Sequence, residues 1–291
     1  MRLGFAGLGL MGAPMAANLL RAGFDLAVYN RSAPPREALR ALGARAFSDA
    51  GGLFAACDTV VLMLADDRAT DQVLGRGSVD FAPRVAGKLI VNMGTHALDW
   101  SKSLEDEILK VGGRFVEAPV SGSRGPAEAG QLVAMVAGEA EDVDAVRPLL
   151  APLCREVVET GQVPMAMACK MAVNLFLIAS VAALAEAAAL ATRLELDLSI
   201  FEQVIGRGPL GSDVARAKLS KMTSGDFAPQ AAIRDVCKNA ALVAEAAAAA
   251  GLDAALLGVA RKRFEDVLRS GRADLDMAAV VLASDEEGAA A

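Results

Sequence analysis

Up to residue 160, short apolar runs alternate with longer stretches whose apolar positions recur at helical spacing, which predicts the repeated strand-helix units of an α/β sheet. Segments 3–6, 26–29, 44–47, 58–64, 88–93, 114–118, 131–137 and 156–159 read as strands. Segments 11–21, 34–42, 98–111 and 141–150 read as helices, with another capped by Ser48 or Asp49 and ending near Ala56. Glycine closes several of them, at Gly23, Gly43 and the Gly112-Gly113 pair. The run at 58–64, DTVVLML, is apolar and β-branched enough for a central parallel strand covered on both faces.

Past residue 160 the pattern changes. From 165 to 196 no strong breaker interrupts a sequence rich in Ala, Leu and Met, so one long helix is expected, apolar on most faces and therefore buried. Its Lys170 and Asn174 stand at i and i+4, on one face. Polar groups among apolar flanks need polar company, which marks them as a candidate site rather than as snorkelling surface residues. Segments 198–205, 211–222, 228–250 and 254–269 read as further helices, and 284–291 as a frayed tail. The most membrane-like stretch, 171–185, looks too short to span and is bounded by Lys170 and Glu186. The expected architecture is a doubly wound sheet over residues 1–162, followed by an all-α domain over 163–291, joined by the long helix.

The first turn carries the chemistry. Gly7, Gly9 and Gly12 form G-x-G-x-x-G between a strand and a helix, the setting in which that spacing holds a dinucleotide in a Rossmann domain. Gly7 permits the tight turn, Gly9 the approach of a pyrophosphate and Gly12 close helix packing, with Leu10 and Met11 inside the cradle. An NAD site places a carboxylate after the second strand, but here the tip is Asn30-Arg31-Ser32. The Arg31 guanidinium suits a 2′-phosphate, with Arg36 as a second charge, so the expected cofactor is NADP(H). Leu64 and Ala65, at the end of the 58–64 strand, should lie beside it. Thr95 could donate to cofactor or substrate or could serve only the turn, and His96 reads as an ordinary loop residue rather than a catalytic acid. The loop Pro119 to Pro126 gathers Ser121, Gly122, Ser123 and Arg124, which suits a substrate carboxylate as well as it suits a plain turn.

Composition narrows the partners. A formal net charge of -7 argues against nucleic acid or an anionic membrane surface, and 54% hydrophobic residues with only 4% aromatic predict aliphatic cores. Four separated cysteines and a single histidine give no metal cluster and imply thiols in a reducing compartment. No signal peptide develops at the N-terminus, so the expected location is the cytoplasm. The long helix has more apolar surface than a small helical domain covers, which predicts a homodimer or homotetramer.

Four stretches together resemble the β-hydroxyacid dehydrogenase family over essentially the whole chain. They are GFAGLGLMGAPMAANLLRAGF, EAPVSGSRGPAEAGQL from Glu117 to Leu132, Lys170 with Asn174, and Lys238 in RDVCKNAALVAEAA. The resemblance implies that Ser121, Gly122 and Ser123 bind substrate, that Lys170 and Asn174 are catalytic, and that Lys238 closes on the cofactor. It also makes the helical domain the one for substrate and dimerisation. Ser123 and Pro126-Ala127-Glu128 look most like the glyoxylate/succinic semialdehyde reductases, which implies NADPH-dependent reduction of small aldehyde or 2-oxo acids. Related alternatives are a 3-hydroxyisobutyrate or tartronate semialdehyde type dehydrogenase. An imine reductase shares the architecture but usually lacks the lysine, and a non-catalytic NADP(H)-binding protein would not need it. Two positions depart from the family: Pro164-Met165-Ala166 replaces G-x-G, narrowing the space there, and Lys238-Asn239 replaces Lys-Asp. An ordinary lysine, with a pKa of about 10.4, is protonated near neutrality and so suits acid duty in the reducing direction.

Overall fold

The structure, a computed structural model, describes residues 2–283, so the expected tail lies outside the described residues. Contacts group the chain into two compact units, one ending at Lys170 and the other beginning at Met171.

The first unit is a mostly parallel sheet with its helices. In chain order it contains β1 (Leu3–Ala6), α1 (Gly12–Arg21), β2 (Leu26–Tyr29), α2 (Ala33–Ala41), β3 (Arg45–Phe47), α3 (Ala50–Ala56) and β4 (Thr59–Leu62). Then come α4 (Asp67–Leu74), α5 (Phe81–Val85), β5 (Leu89–Asn92), α6 (Leu98–Lys110) and β6 (Arg114–Glu117). The last are β7 (Val120–Ser121), α7 (Arg124–Glu128), β8 (Leu132–Gly138), α8 (Ala140–Leu150) and β9 (Cys154–Gly161). Strand order is β3-β2-β1-β4-β5-β6-β8-β7, with β9 also paired to β8. Every residue of β1, β4 and β5 is buried, including the polar Thr59 and Asn92 at the ends of otherwise apolar runs. Phe5, Met15, Leu19 and Leu26 fill the layer between sheet and helix, and each such side chain contributes about 1.5–3 kcal/mol on full burial.

Two local features differ from the pattern reading. The segment between β4 and β5 folds as α4 and α5, and Asp66 opens α4 by accepting the Ala69 N–H at 2.7 Å. The stretch from Pro119, expected as a loop, continues the strand: β6 pairs Glu117 with Ala137 and β7 pairs Val120 with Ala134 in one antiparallel register along β8. Pro119 interrupts the run because it has no N–H, yet its carbonyl still accepts from Met135 at 2.9 Å.

The long helix, α9 (Met165–Arg193), starts in the first unit and runs on into the second. Expected to be buried, it is only partly so: Met167, Met171 and Ile178 are buried, whereas Phe176 is 74% exposed and Leu190 is open, as is Leu194 just past the helix end. A helix apolar all round is buried only on the faces that have neighbours. Its 29 residues are also long and apolar enough to cross a membrane by length and composition, which corrects the view that the apolar stretch is too short. Its observed partners are protein groups, among them Arg263, which pairs with Glu186 at 2.9 Å.

The second unit adds α10 (Leu198–Arg207), α11 (Asp213–Ser224), α12 (Ile233–Ala249), α13 (Ala255–Arg269) and a 3-10 turn, Met277–Leu282. α12 starts later than its apolar pattern suggests. Pro229 disfavours helix in the residue before it, and the amides of Ala228, Gln230 and Ala231 are bound by the carboxylates of Asp226 and Asp276.

Candidate active site

In open α/β sheets a ligand crevice forms outside the strand carboxyl ends where the strand order reverses, here between β1 and β4. Gly7 sits there at φ +98°, and a side chain on it would collide with the Met63 carbonyl, as one on Gly12 would with the Gly7 carbonyl. Around Gly9 a side chain would meet nothing within 4 Å, so a phosphate can approach the main chain. Helix α1 begins with no side-chain cap and no acidic residue in its first turn; Ala13 N–H donates to the Gly9 carbonyl at 3.1 Å and Pro14 has no N–H, so the amides an anion would meet are those of the turn up to Gly12. Leu10 and Met11 are half-buried in this turn. The residues present therefore fit a dinucleotide.

Asn30 ties the neighbouring loops together: its Oδ1 accepts the Leu8 N–H at 3.0 Å and its Nδ2 donates to Ser32 Oγ at 2.8 Å. Arg31 is exposed at this tip, and Arg36 donates to the Asn30 carbonyl at 2.7 Å, bracing the turn. Leu64 and Ala65 follow β4 and Thr95 follows β5, so these three lie past the carboxyl ends of adjacent strands.

Lys170, on the second turn of α9, is only 8% exposed, and its Nζ donates to the Val120 carbonyl at 2.7 Å. Val120 immediately precedes Ser121, so the structure brings the lysine to the serine loop across a long separation in sequence. Gly122 takes φ +133°, and a side chain there would strike Leu132. Ser123 precedes α7, whose Arg124 pairs with Glu128 at 2.7 Å, so that cation is already matched within its own turn. Asn174 lies one turn beyond Lys170; it is 2% exposed, and its Nδ2 has no hydrogen-bond partner among the described residues. Lys238 and Asn239 are half-buried on α12, and Asn239 Oδ1 is likewise unpartnered.

Pattern reading missed the polar layer beneath this site. Glu117 is fully buried; Ser101 Oγ donates to it, and so does the Met167 N–H at 3.2 Å. Burial pushes its carboxyl above the usual carboxylate range, opposed by those bonds and by one from the Ala166 amide. Its one sequence signal was an ionisable residue closing the otherwise apolar end of RFVE. His96 is also fully buried, with Nδ1 2.7 Å from Asp67 Oδ1, its ring stacked on Trp100 at 4.3 Å, and its N–H on Met167 Sδ at 3.5 Å. Asp67 and Trp100 gave no sign of this in the linear pattern.

Comparison with known proteins agrees with this layout. Residues 2–161 match the family model for the NAD binding domain of 6-phosphogluconate dehydrogenase. Residues 165–283 match that for the NAD-binding region of NADP-dependent 3-hydroxyisobutyrate dehydrogenase. The chain is 30% identical to glyoxylate/succinic semialdehyde reductase 2 of Arabidopsis thaliana, covering 96% of this chain and 78% of that one. It is 29% identical to 2-hydroxy-3-oxopropionate reductase of Escherichia coli over 97% of both. A solved 3-hydroxyisobutyrate dehydrogenase from Salmonella typhimurium superposes with a TM-score of 0.88 at 25% identity, covering 97% of this chain and 99% of that one. With a dinucleotide turn at one end of the sheet, a buried lysine on a serine loop, and both halves of the chain matched, the chain belongs to the β-hydroxyacid dehydrogenase family and is an NAD(P)-dependent oxidoreductase of that type.

Proposed function

We propose that the chain is an NADPH-dependent reductase of small aldehyde and 2-oxo acids, glyoxylate and succinic semialdehyde foremost, with Lys170 as the proton donor. The observation that carries this reading is the buried Lys170 ammonium held 2.7 Å from the Val120 carbonyl, beside Ser121. When bound, the nicotinamide supplies a hydride. The hydroxyls and main-chain groups of Ser121, Gly122 and Ser123 hold the substrate carboxylate, and Lys170 gives its proton to the carbonyl oxygen as the carbon is reduced. The unpartnered Asn174 amide is a donor that the substrate oxygen would satisfy. Residues 1–162 bind the cofactor in this scheme, with Lys238 closing on it, and residues 163–291 serve substrate and assembly.

Cofactor choice rests on Arg31, which stands where an NAD enzyme carries a carboxylate. NADPH oxidation, followed with glyoxylate, succinic semialdehyde and cyclic imines, should proceed with the two aldehyde acids and not with the imines. NADPH should bind at least about tenfold more tightly than NADH, or ~1.4 kcal/mol, and Arg31→Asp should erase the gap. Turnover of imines alone, or equal affinity for both cofactors in the unmodified protein, would contradict this assignment.

Assembly follows from α9. Phe176 and Leu190 of α9, and Leu194 just past its end, are large apolar side chains open to solvent, which a homodimer or homotetramer would cover. Light scattering at micromolar concentration should give a multiple of the chain mass; a monomer would contradict the expectation. Cys57, Cys154, Cys169 and Cys237 are unbridged, and burial pushes the Cys154 and Cys237 thiols up to about 11, which suits the reducing cytoplasm that we propose as its location.

A further inference from the structure

We infer that Glu117 is a positioning residue for Lys170, fixing where its ammonium stands relative to the serine loop; this rests on the reading of Lys170 as proton donor. The geometry is a closed ring. Glu117 and Val120 lie on the interrupted strand formed by β6 and β7, held to β8 in one register. The Glu117 carboxylate receives the Met167 N–H at 3.2 Å, in the first turn of α9. One turn further, Lys170 Nζ returns to the Val120 carbonyl at 2.7 Å. Strand, carboxylate, helix turn and lysine stem thus form one circuit, and Glu117 is the side chain that closes it at the end opposite the ammonium.

The anchor is rigid. Ser101, fully buried on α6, donates to the same carboxylate, and the Glu117 backbone pairs with Asn92 of β5 as well as with Ala137 of β8. A carboxylate facing the leading amides of a long helix is favoured by charge-assisted hydrogen bonding and by the helix dipole. A buried carboxylate is otherwise costly, and nothing in the packing of a sheet demands one at this position. Pro164 and Ala166 at the start of α9 restrict the backbone more than glycines would, so the bond from Met167 to Glu117 holds a segment that has little freedom of its own.

The test is a double-mutant cycle with Glu117→Gln and Lys170→Met, each variant checked for thermal melting and NADPH binding. Glu117→Gln preserves shape and removes the charge. It should lower kcat about tenfold while KM for glyoxylate and affinity for NADPH stay within a few-fold. In the Lys170→Met background, Glu117→Gln should produce no further fall, because its effect passes through the lysine. Glu117→Asp, which keeps a carboxylate, should recover part of the loss. If Glu117→Gln fails to fold, Ser101→Ala, which removes one donor and leaves the charge, should show a smaller fall that also vanishes beside Lys170→Met. Full kcat in Glu117→Gln, or an undiminished further loss in the double variant, overturns the positioning role while leaving Lys170 in place. A Lys170→Met protein as fast as the unmodified one removes the catalytic reading itself, and the positioning role with it.

Discussion

Replacing Asp276 with alanine should destabilise the helical unit by about 3–5 kcal/mol, because it strands a buried ammonium. Both Asp276 oxygens accept from Lys218 Nζ, at 2.9 and 3.0 Å, and the two side chains are almost wholly buried. The same carboxylate takes the N–H groups of Gln230, Ala231 and Ala278 at 2.9, 3.1 and 3.0 Å. It therefore ties α11, the approach to α12 and the 3-10 turn together through one residue. Burial disfavours the charge on Asp276, but Lys218 and the backbone amides outweigh it and hold the carboxyl below its ordinary range. An unfolded aspartate titrates near about 3.9. With the folded value lower, the contribution is fully present above the unfolded value and disappears as pH falls through the folded one. Urea unfolding near neutrality should show a lower midpoint for Asp276→Ala and substantial recovery on adding Lys218→Met, which replaces the stranded charge with an apolar stem. An unchanged midpoint in the single variant would show that the pair contributes nothing.

Lys218 also illustrates why burial alone does not identify a catalytic lysine. Its ammonium is matched by a carboxylate that is itself fully occupied, an arrangement complete without a ligand. Lys170 is singled out by its place, donating to the Val120 carbonyl beside Ser121, and one turn along the helix Asn174 has an amide without a partner among the described residues.

How much of this was legible follows from what each signal is made of. The strands of the first sheet were readable because central parallel strands are apolar on both faces, and β1, β4 and β5 are buried at every position. The glycine turn was readable because its backbone leaves no room for side chains at Gly7 and Gly12. Lys170 and Asn174 stood out because they are polar in an apolar helix. What stayed hidden depends on tertiary pairing. Nothing local announces that Asp67 reaches His96 or that Ser101 and Met167 converge on Glu117. The continuation of β6 into β7 was masked by Pro119 and by serine and glycine residues typical of turns. The open face of α9 was misread as buried because periodicity reports how apolar a face is, not whether a neighbour covers it.

The central claim is that Lys170 carries the proton. Lys170→Met keeps most of the apolar stem and removes only the charge, so packing against the loop is largely retained. A proton donor contributes about 10²-fold or more to turnover, and removing it should lower kcat by that factor while NADPH affinity stays within a few-fold. A lysine that only braced the fold would instead lose thermal stability and cofactor binding together when replaced. The deciding measurement is the rate of NADPH oxidation by Lys170→Met at saturating glyoxylate, on protein shown by melting and NADPH titration to be folded and loaded. A fall of about 10²-fold or more is the result expected; turnover near that of the unmodified enzyme would contradict the account.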